Sequence, residues 1–262
     1  MTPSGARALL VGVRFDPERI MADAPVDPQA SRASAVADAK RLMRVARTGA
    51  LATLDPGSGA PLTTLVGVAS DFSGAPLFLM STLALHTRRL AADSRASLLL
   101  TDEPGRGDPL NHPRVTLNGR MEKASGARVR ARYLQRNPKA KLYVDFADFA
   151  FFRLAIESVH FNGGFGRADA LTPPDILIGR EAEAEFAEAE PGLIGWVNDL
   201  GDEAVARLAG RGHAGRQVWR AIGLDAEGLD LAAGGEAARL QFAVPARDAQ
   251  EWRRTLESLT RS

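Results

Sequence analysis

The stretch Phe78-Leu-Met-Ser-Thr-Leu-Ala-Leu-His-Thr-Arg-Arg-Leu90 gathers hydroxyls, an imidazole and two guanidinium groups within a few residues. A strand delivers Ser81 and Thr82. A helix expected over Ala84–Asp93 then opens with His86, Thr87, Arg88 and Arg89. Unpaired backbone N–H groups at a helix start favour an anion, and hydroxyls and guanidiniums complete a phosphate cradle. Spacing alone leaves a second and commoner arrangement open: Ser81 or Thr82 caps the helix, and its basic face is only solvated. Leu83, Leu90 and Ala91 are expected to face inward, and His86, Arg88 and Arg89 outward.

The other histidines offer less. His112 lies in Asn111-His-Pro113, a loop expected to face solvent. His160 alternates with Val159 and Phe161 on a strand, where a hydrogen-bonded barrel histidine is a commoner outcome than a metal or heme ligand. His213 sits between glycines in a turn. No pair of histidines has metal-ligand spacing, so no metal site is expected. Gly163-Gly-Phe-Gly166 lacks the strand–loop–helix context of a dinucleotide fingerprint. It reads equally as a strand end needing φ > 0 or as a close backbone approach to a ligand. The glutamates of 181–190 read as a solvated helix face. No hydroxyl stands in a nucleophile elbow, which leaves a hydrolase reading little support and the catalytic residues unassigned.

The chain that must position these groups has 262 residues, with 45% apolar and 25% charged side chains, a globular composition. A net charge of +1 gives no global attraction to nucleic acid or to an anionic membrane, so any anion site is local. Cysteine is absent, which excludes disulfides and thiolate sites and fits a cytoplasmic protein. Apolar runs are of strand length, so no membrane span is expected. Residues 1–26 read as a loose arm or an over-long start, since Met21 precedes a plausible second beginning.

Asp27–Pro28 reads as an N-cap and first helical residue, opening a helix to about Thr48–Gly49 that lies on a surface. Short strands at Ala50–Leu54, Pro61–Ala69 and Pro76–Ser81 suggest an antiparallel meander. Further strands are expected at Ser97–Thr101, Arg114–Ala124, Phe149–Ala155 and Ser158–Phe165, with a loop over 102–113 and helices over 126–136 and 139–147. The pattern is mainly β with helices, a closed or split barrel. Composition shifts at Thr172-Pro-Pro174, giving an expected barrel over 27–172 and a small α+β domain over 173–262. That second part carries helices over 179–189, 191–208 and 248–259. Its strands are expected over Arg216–Ile222, Gly228–Ala232 and Ala237–Ala243.

Several segments together are similar to a known family: Arg44–Leu54, Pro61–Ala69, Ser81–Leu90, Gly107-Asp-Pro-Leu110, Arg114–Arg120 and Phe161–Ala168. In that order they resemble the HugZ-like branch of the pyridoxamine-phosphate-oxidase-like superfamily. The resemblance implies an FMN-binding split β-barrel and a homodimer with FMN between the subunits. It places Thr63, Thr64, Ser81, Thr82 and His86 to Arg89 at the flavin phosphate and ribityl chain. Two departures tell against a true pyridoxamine-phosphate oxidase. Thr63 and Val68 stand where that enzyme has an arginine and a lysine, and Asn162–Arg167 replaces its terminal Arg-x-His motif. Residues 190–262 resemble the small partner domain of the HugZ-like branch through Leu193–Asp199, Ile222–Leu231 and Arg239–Phe242. Trp196 and Gly201 stand where relatives carry histidines.

These features imply a small-molecule ligand and a flavin-dependent oxidoreductase, the flavin supplying the redox chemistry. The alternatives are a heme-binding or heme-degrading protein of the HugZ kind, with His160 or His213 substituting for the missing histidines, and a flavin-binding protein without turnover.

Overall fold

The computed structural model describes residues 28–101, 108–164, 167–210 and 217–260. The expected arm over 1–26, the Asp27 cap, residues 102–107 of the loop, Phe165, Gly166, His213 and Arg216 lie outside these.

Helix α1 (Pro28–Val45) is followed by strands β1 (Thr48–Leu54), β2 (Pro61–Gly67), β3 (Ala69–Ser70) and β4 (Pro76–Ser81). Helix α2 (Leu85–Ala92), β5 (Arg95–Thr101), β6 (Arg114–Ala124), α3 (Ala127–Arg136), β7 (Phe149–Asn162) and β8 (Ala168–Leu171) complete the first part. These strands form one antiparallel eight-stranded sheet in the order β2-β1-β5-β6-β7-β4-β3, with β8 also on β7. β2 and β3 lie at opposite ends of that order, yet only buried Val68 separates them in the chain. The sheet must therefore curl until its ends nearly meet, and the Val68 N–H bonds Arg47 O at 2.8 Å where the chain crosses.

The inner face alternates as a half-buried sheet should. Leu51, Leu98, Leu117 and Val159 point into one core with Phe78, Leu154 and Phe161. Ala35, Ala39, Leu42 and Met43 form a stripe along α1 that packs on the same core. The small alanines let the helix sink in, so it is half embedded rather than laid on a surface.

Several local expectations are corrected. β1, β2 and β4 are not a meander, because β4 pairs with β7 on the far side of the sheet. The two strands expected over 149–165 are one strand, β7, paired along its length with β6. A bulge between Asn118 and Gly119 made two strands plausible, since it shifts the register midway. A Cβ at Gly119 would stand 2.0 Å from Ala155 O, so the bulge requires glycine there. The helix expected over 139–147 is a short 3-10 turn, Pro138–Leu142.

Beyond the barrel come α4 (Pro173–Ile176), α5 (Arg180–Phe186), α6 (Glu190–Asn198) and α7 (Asp202–Leu208). Then follow β9 (Arg220–Asp225), β10 (Gly228–Ala233), β11 (Glu236–Gln241) and α8 (Ala249–Thr260), the strands forming a second sheet, β11-β10-β9. The single helix expected over 191–208 is two, interrupted at Gly201 with φ +92°. On α8, Trp252 and Leu256 are buried while Leu259 is exposed.

The two parts are firmly joined. Phe72, in the β3–β4 turn, is buried in the C-terminal core with its ring 5.7 Å from Phe186. Arg44 of α1 pairs with Asp225 of β9 at 2.7 Å, both side chains buried. Ile176 of α4, by contrast, packs with the barrel core.

Candidate functional site

Helix α2 packs over β1. Its N-cap is Ala84, in extended conformation and with no side-chain cap. This overturns the capping reading of Ser81 and Thr82. Ser81 instead donates its hydroxyl to Asp148 Oδ2 at 2.5 Å and accepts the Leu83 N–H at 3.1 Å. The Thr82 N–H bonds Asp148 O at 2.7 Å, and its side chain is exposed. These bonds staple the approach to α2 onto the segment before β7. The first intrahelical bond is Arg88 N–H to Ala84 O, which leaves the N–H groups of the first turn without intrahelical acceptors. The positive end of the helix dipole adds to them.

The basic residues divide in function. Arg89 reaches back to the β1–β2 turn, pairing with Asp55 at 3.2 Å and donating to Ala60 O at 3.4 Å. Hydrogen bonds from Ser58 hold the Asp55 carboxyl below its usual range, and Arg89 adds to that. Arg88 is exposed and makes no ion pair among the described residues.

His86 is half-buried, and its Nδ1 lies 3.3 Å from Thr64 Oγ1. Burial pushes the imidazole below its ordinary value, so it is neutral at pH 7. Nε2 makes no bond among the described residues. Thr87 is buried, with its hydroxyl unpartnered.

Around this corner, apolar side chains stand in the open. Leu83 is 73% exposed and Leu85 49% exposed, contrary to the inward position expected for Leu83. Ala91 is also exposed, and Leu90 alone of the three is buried. Beyond the Ser81–Asp148 staple, Phe146 is exposed and packs edge-on against Phe149 at 6.3 Å.

The structure thus brings Thr64 to His86 and leaves Arg88 free at the start of α2. Thr63, the next residue on β2, alternates to the other face of the strand and is exposed. Asp55 and Asp148 were missed. They lie far along the chain from their partners, and only their turn and pre-strand positions hinted at them.

The outer face of the sheet carries a row of register partners: Leu65, Ala50, Leu99, Thr116, His160 and Ala170. His160 is exposed here rather than held inside the barrel, because its place in the register is on the outer face. His112 is half-buried, not fully solvent-facing. No group of three or more His, Asp or Glu side chains suited to a metal ion occurs among the described residues. Among the described residues, no helix is long and apolar enough to cross a membrane.

The family model described as CREG, beta-barrel matches residues 30–176. The chain belongs to the CREG β-barrel family. That assignment gives the expected split barrel its name and extends through α4. Among relatives of this CREG barrel, a noncanonical heme oxygenase, HOZ, of Arabidopsis thaliana chloroplasts is 33% identical over 146 residues. The match covers 54% of this chain and 44% of that protein, so the chain spans less than half the length of this curated relative.

A protein of unknown function from Agrobacterium tumefaciens is similar in structure, with TM-score 0.75 and 36% identity over 90% of this chain and 100% of that one. A heme binding protein from Mycobacterium smegmatis has TM-score 0.52 and 28% identity, covering 87% of this CREG chain and 96% of its own.

Proposed function

We propose that this chain binds heme at the start of α2, with His86 as the iron ligand. The observation that carries this reading is the His86 imidazole. Thr64 holds Nδ1, burial keeps the ring neutral, and Nε2 remains for a metal. The surrounding residues suit the rest of such a ligand. Exposed Leu83 and Leu85 offer apolar surface for a porphyrin edge. The uncapped helix start and Arg88 offer donors for a propionate. Heme would supply its own redox chemistry, and the chain would orient it and hold its charge. The relatives named for heme binding and heme oxygenation support the reading. Ring opening of heme by this chain would be an extension of it.

A second reading is FMN binding, as in a flavin-dependent oxidoreductase or a flavin carrier without turnover. One observation favours it: the donors at the start of α2, N–H groups together with Arg88, suit a phosphate dianion without needing an iron ligand. The outer face, with Leu65 76% exposed, would seat a second copy in a homodimer.

Separate titrations of hemin and FMN into the purified chain decide between the ligands. The heme reading expects a saturable, shifted Soret band at one hemin per chain. Flavin fluorescence quenching at lower concentration than hemin, without a defined Soret species, would favour the second reading.

A further inference from the structure

Away from α2, a cavity of about 20 Å³ lies between the barrel and the C-terminal sheet, lined by Arg44, Ser70, Arg132, Arg136, Gly223 and Asp230. Such a space accommodates a single particle of about the size of water. Its walls carry an excess of positive charge. The buried ionic side chains meeting here are Arg44, Arg132, Arg136 and Arg239 against Asp225, Asp230 and Glu190.

Pairing accounts for most of them. Asp225 bridges Arg44 at 2.7 Å and Arg239 at 2.6 Å. Arg239 also holds Asp230, the one carboxylate in the lining, at 3.0 Å. Glu190 takes Arg132 at 2.5 Å.

Arg136 is left over. Its only hydrogen bond among the described residues runs from Nη2 to the Val45 carbonyl. Its Nε and Nη1 atoms, and the Nε of Arg132, are buried without a partner. Burial pushes the Arg136 guanidinium down to about 10, with Asp230 opposing the shift, so it stays charged at neutral pH. A buried cation with idle donors is costly unless a counter-charge joins it.

We propose that this cavity binds a monatomic anion, a halide such as chloride, between Arg132 and Arg136, where it fastens the barrel to the C-terminal sheet. An anion of that size fits the space and meets the idle donors. The bulge that omits Ile222 from the β9–β10 ladder shapes the opposite wall.

The test uses the full wild-type chain. Thermal unfolding is followed in sodium chloride and in sodium gluconate at equal ionic strength, and a crystal is grown or soaked in sodium bromide. The proposal expects Tm to rise with the logarithm of chloride concentration above Kd, by about 3–6 °C at tenfold excess over Kd. It also expects a bromide anomalous peak beside Arg136. In Arg136→Met the chloride-dependent part of the Tm disappears. Equal Tm in the two salts overturns the proposal, as does a cavity holding water with no anomalous signal. If Arg136→Met fails to fold, the wild-type salt series and the bromide map decide alone.

Discussion

The Arg89 guanidinium pairs with Asp55 at 3.2 Å and so belongs to the scaffold, tying α2 to the β1–β2 turn. Its neighbour Arg88 projects into solvent at the same helix start. A pair of residues that look equivalent in the sequence therefore divides into a brace and a free cation.

The division predicts different phenotypes. A charge-assisted hydrogen bond contributes about 1.5–3 kcal/mol. Arg88→Ala should therefore weaken an anionic ligand, tested with FMN, by roughly ten- to a hundredfold. Riboflavin, which lacks the phosphate, should be little affected. Arg89→Ala should lower Tm and change FMN affinity less than Arg88→Ala does. Equal losses for FMN and riboflavin in Arg88→Ala would show that Arg88 does not meet the phosphate.

The buried Arg44–Asp225–Arg239 network predicts acid sensitivity. Burial alone raises the Asp225 carboxyl, but Arg239 and Arg44 outweigh it and hold the group below the usual range. A depressed folded value means stability that is present above the unfolded value near pH 4 and lost as pH falls through the folded one. Asp225→Asn should cost about 3–5 kcal/mol at pH 7, because it leaves buried guanidiniums uncompensated. Its stability should also fall less steeply than the wild type's below pH 4. Denaturant unfolding at pH 7 and pH 3 measures both.

The bulge at Gly119 makes a sharper structural prediction. Gly119→Ala places a methyl against Ala155 O and should destabilise the chain by about 1–3 kcal/mol. Gly57→Ala, in an open turn where a Cβ meets nothing closer than 3.5 Å, is the matched control. Chemical denaturation compares the two.

The open sheet face predicts self-association. Leu65→Glu should convert a dimer to a monomer in light scattering at micromolar concentration without lowering the monomer's helix content. A wild type already monomeric under those conditions would contradict the dimer.

Local structure was legible where local pattern determines it. β6 runs Arg114–Ala124, the bounds its alternation predicts, and β4 runs Pro76–Ser81, an apolar run that follows the turn over 71–74. The strand order was not legible, because β4 pairs with β7 through contacts distant in the chain. No local signal tells that β2 and β3 sit at opposite edges. The candidate site divides in the same way. The run from Ser81 to Arg89 stands out by composition. Its partners do not, since Asp148 is 67 residues from Ser81 and Asp55 is 34 residues from Arg89. Those distant carboxylates brace Ser81 and Arg89, two of the residues expected at a ligand.

The central claim is that His86 presents Nε2 to heme iron, and hemin titration of His86→Ala against the wild type tests it most directly. His160→Ala, on the opposite face of the sheet, serves as the control. The account predicts that His86→Ala loses the histidine-ligated Soret species and that His160→Ala keeps it. A Soret spectrum and affinity unchanged in His86→Ala would contradict the account.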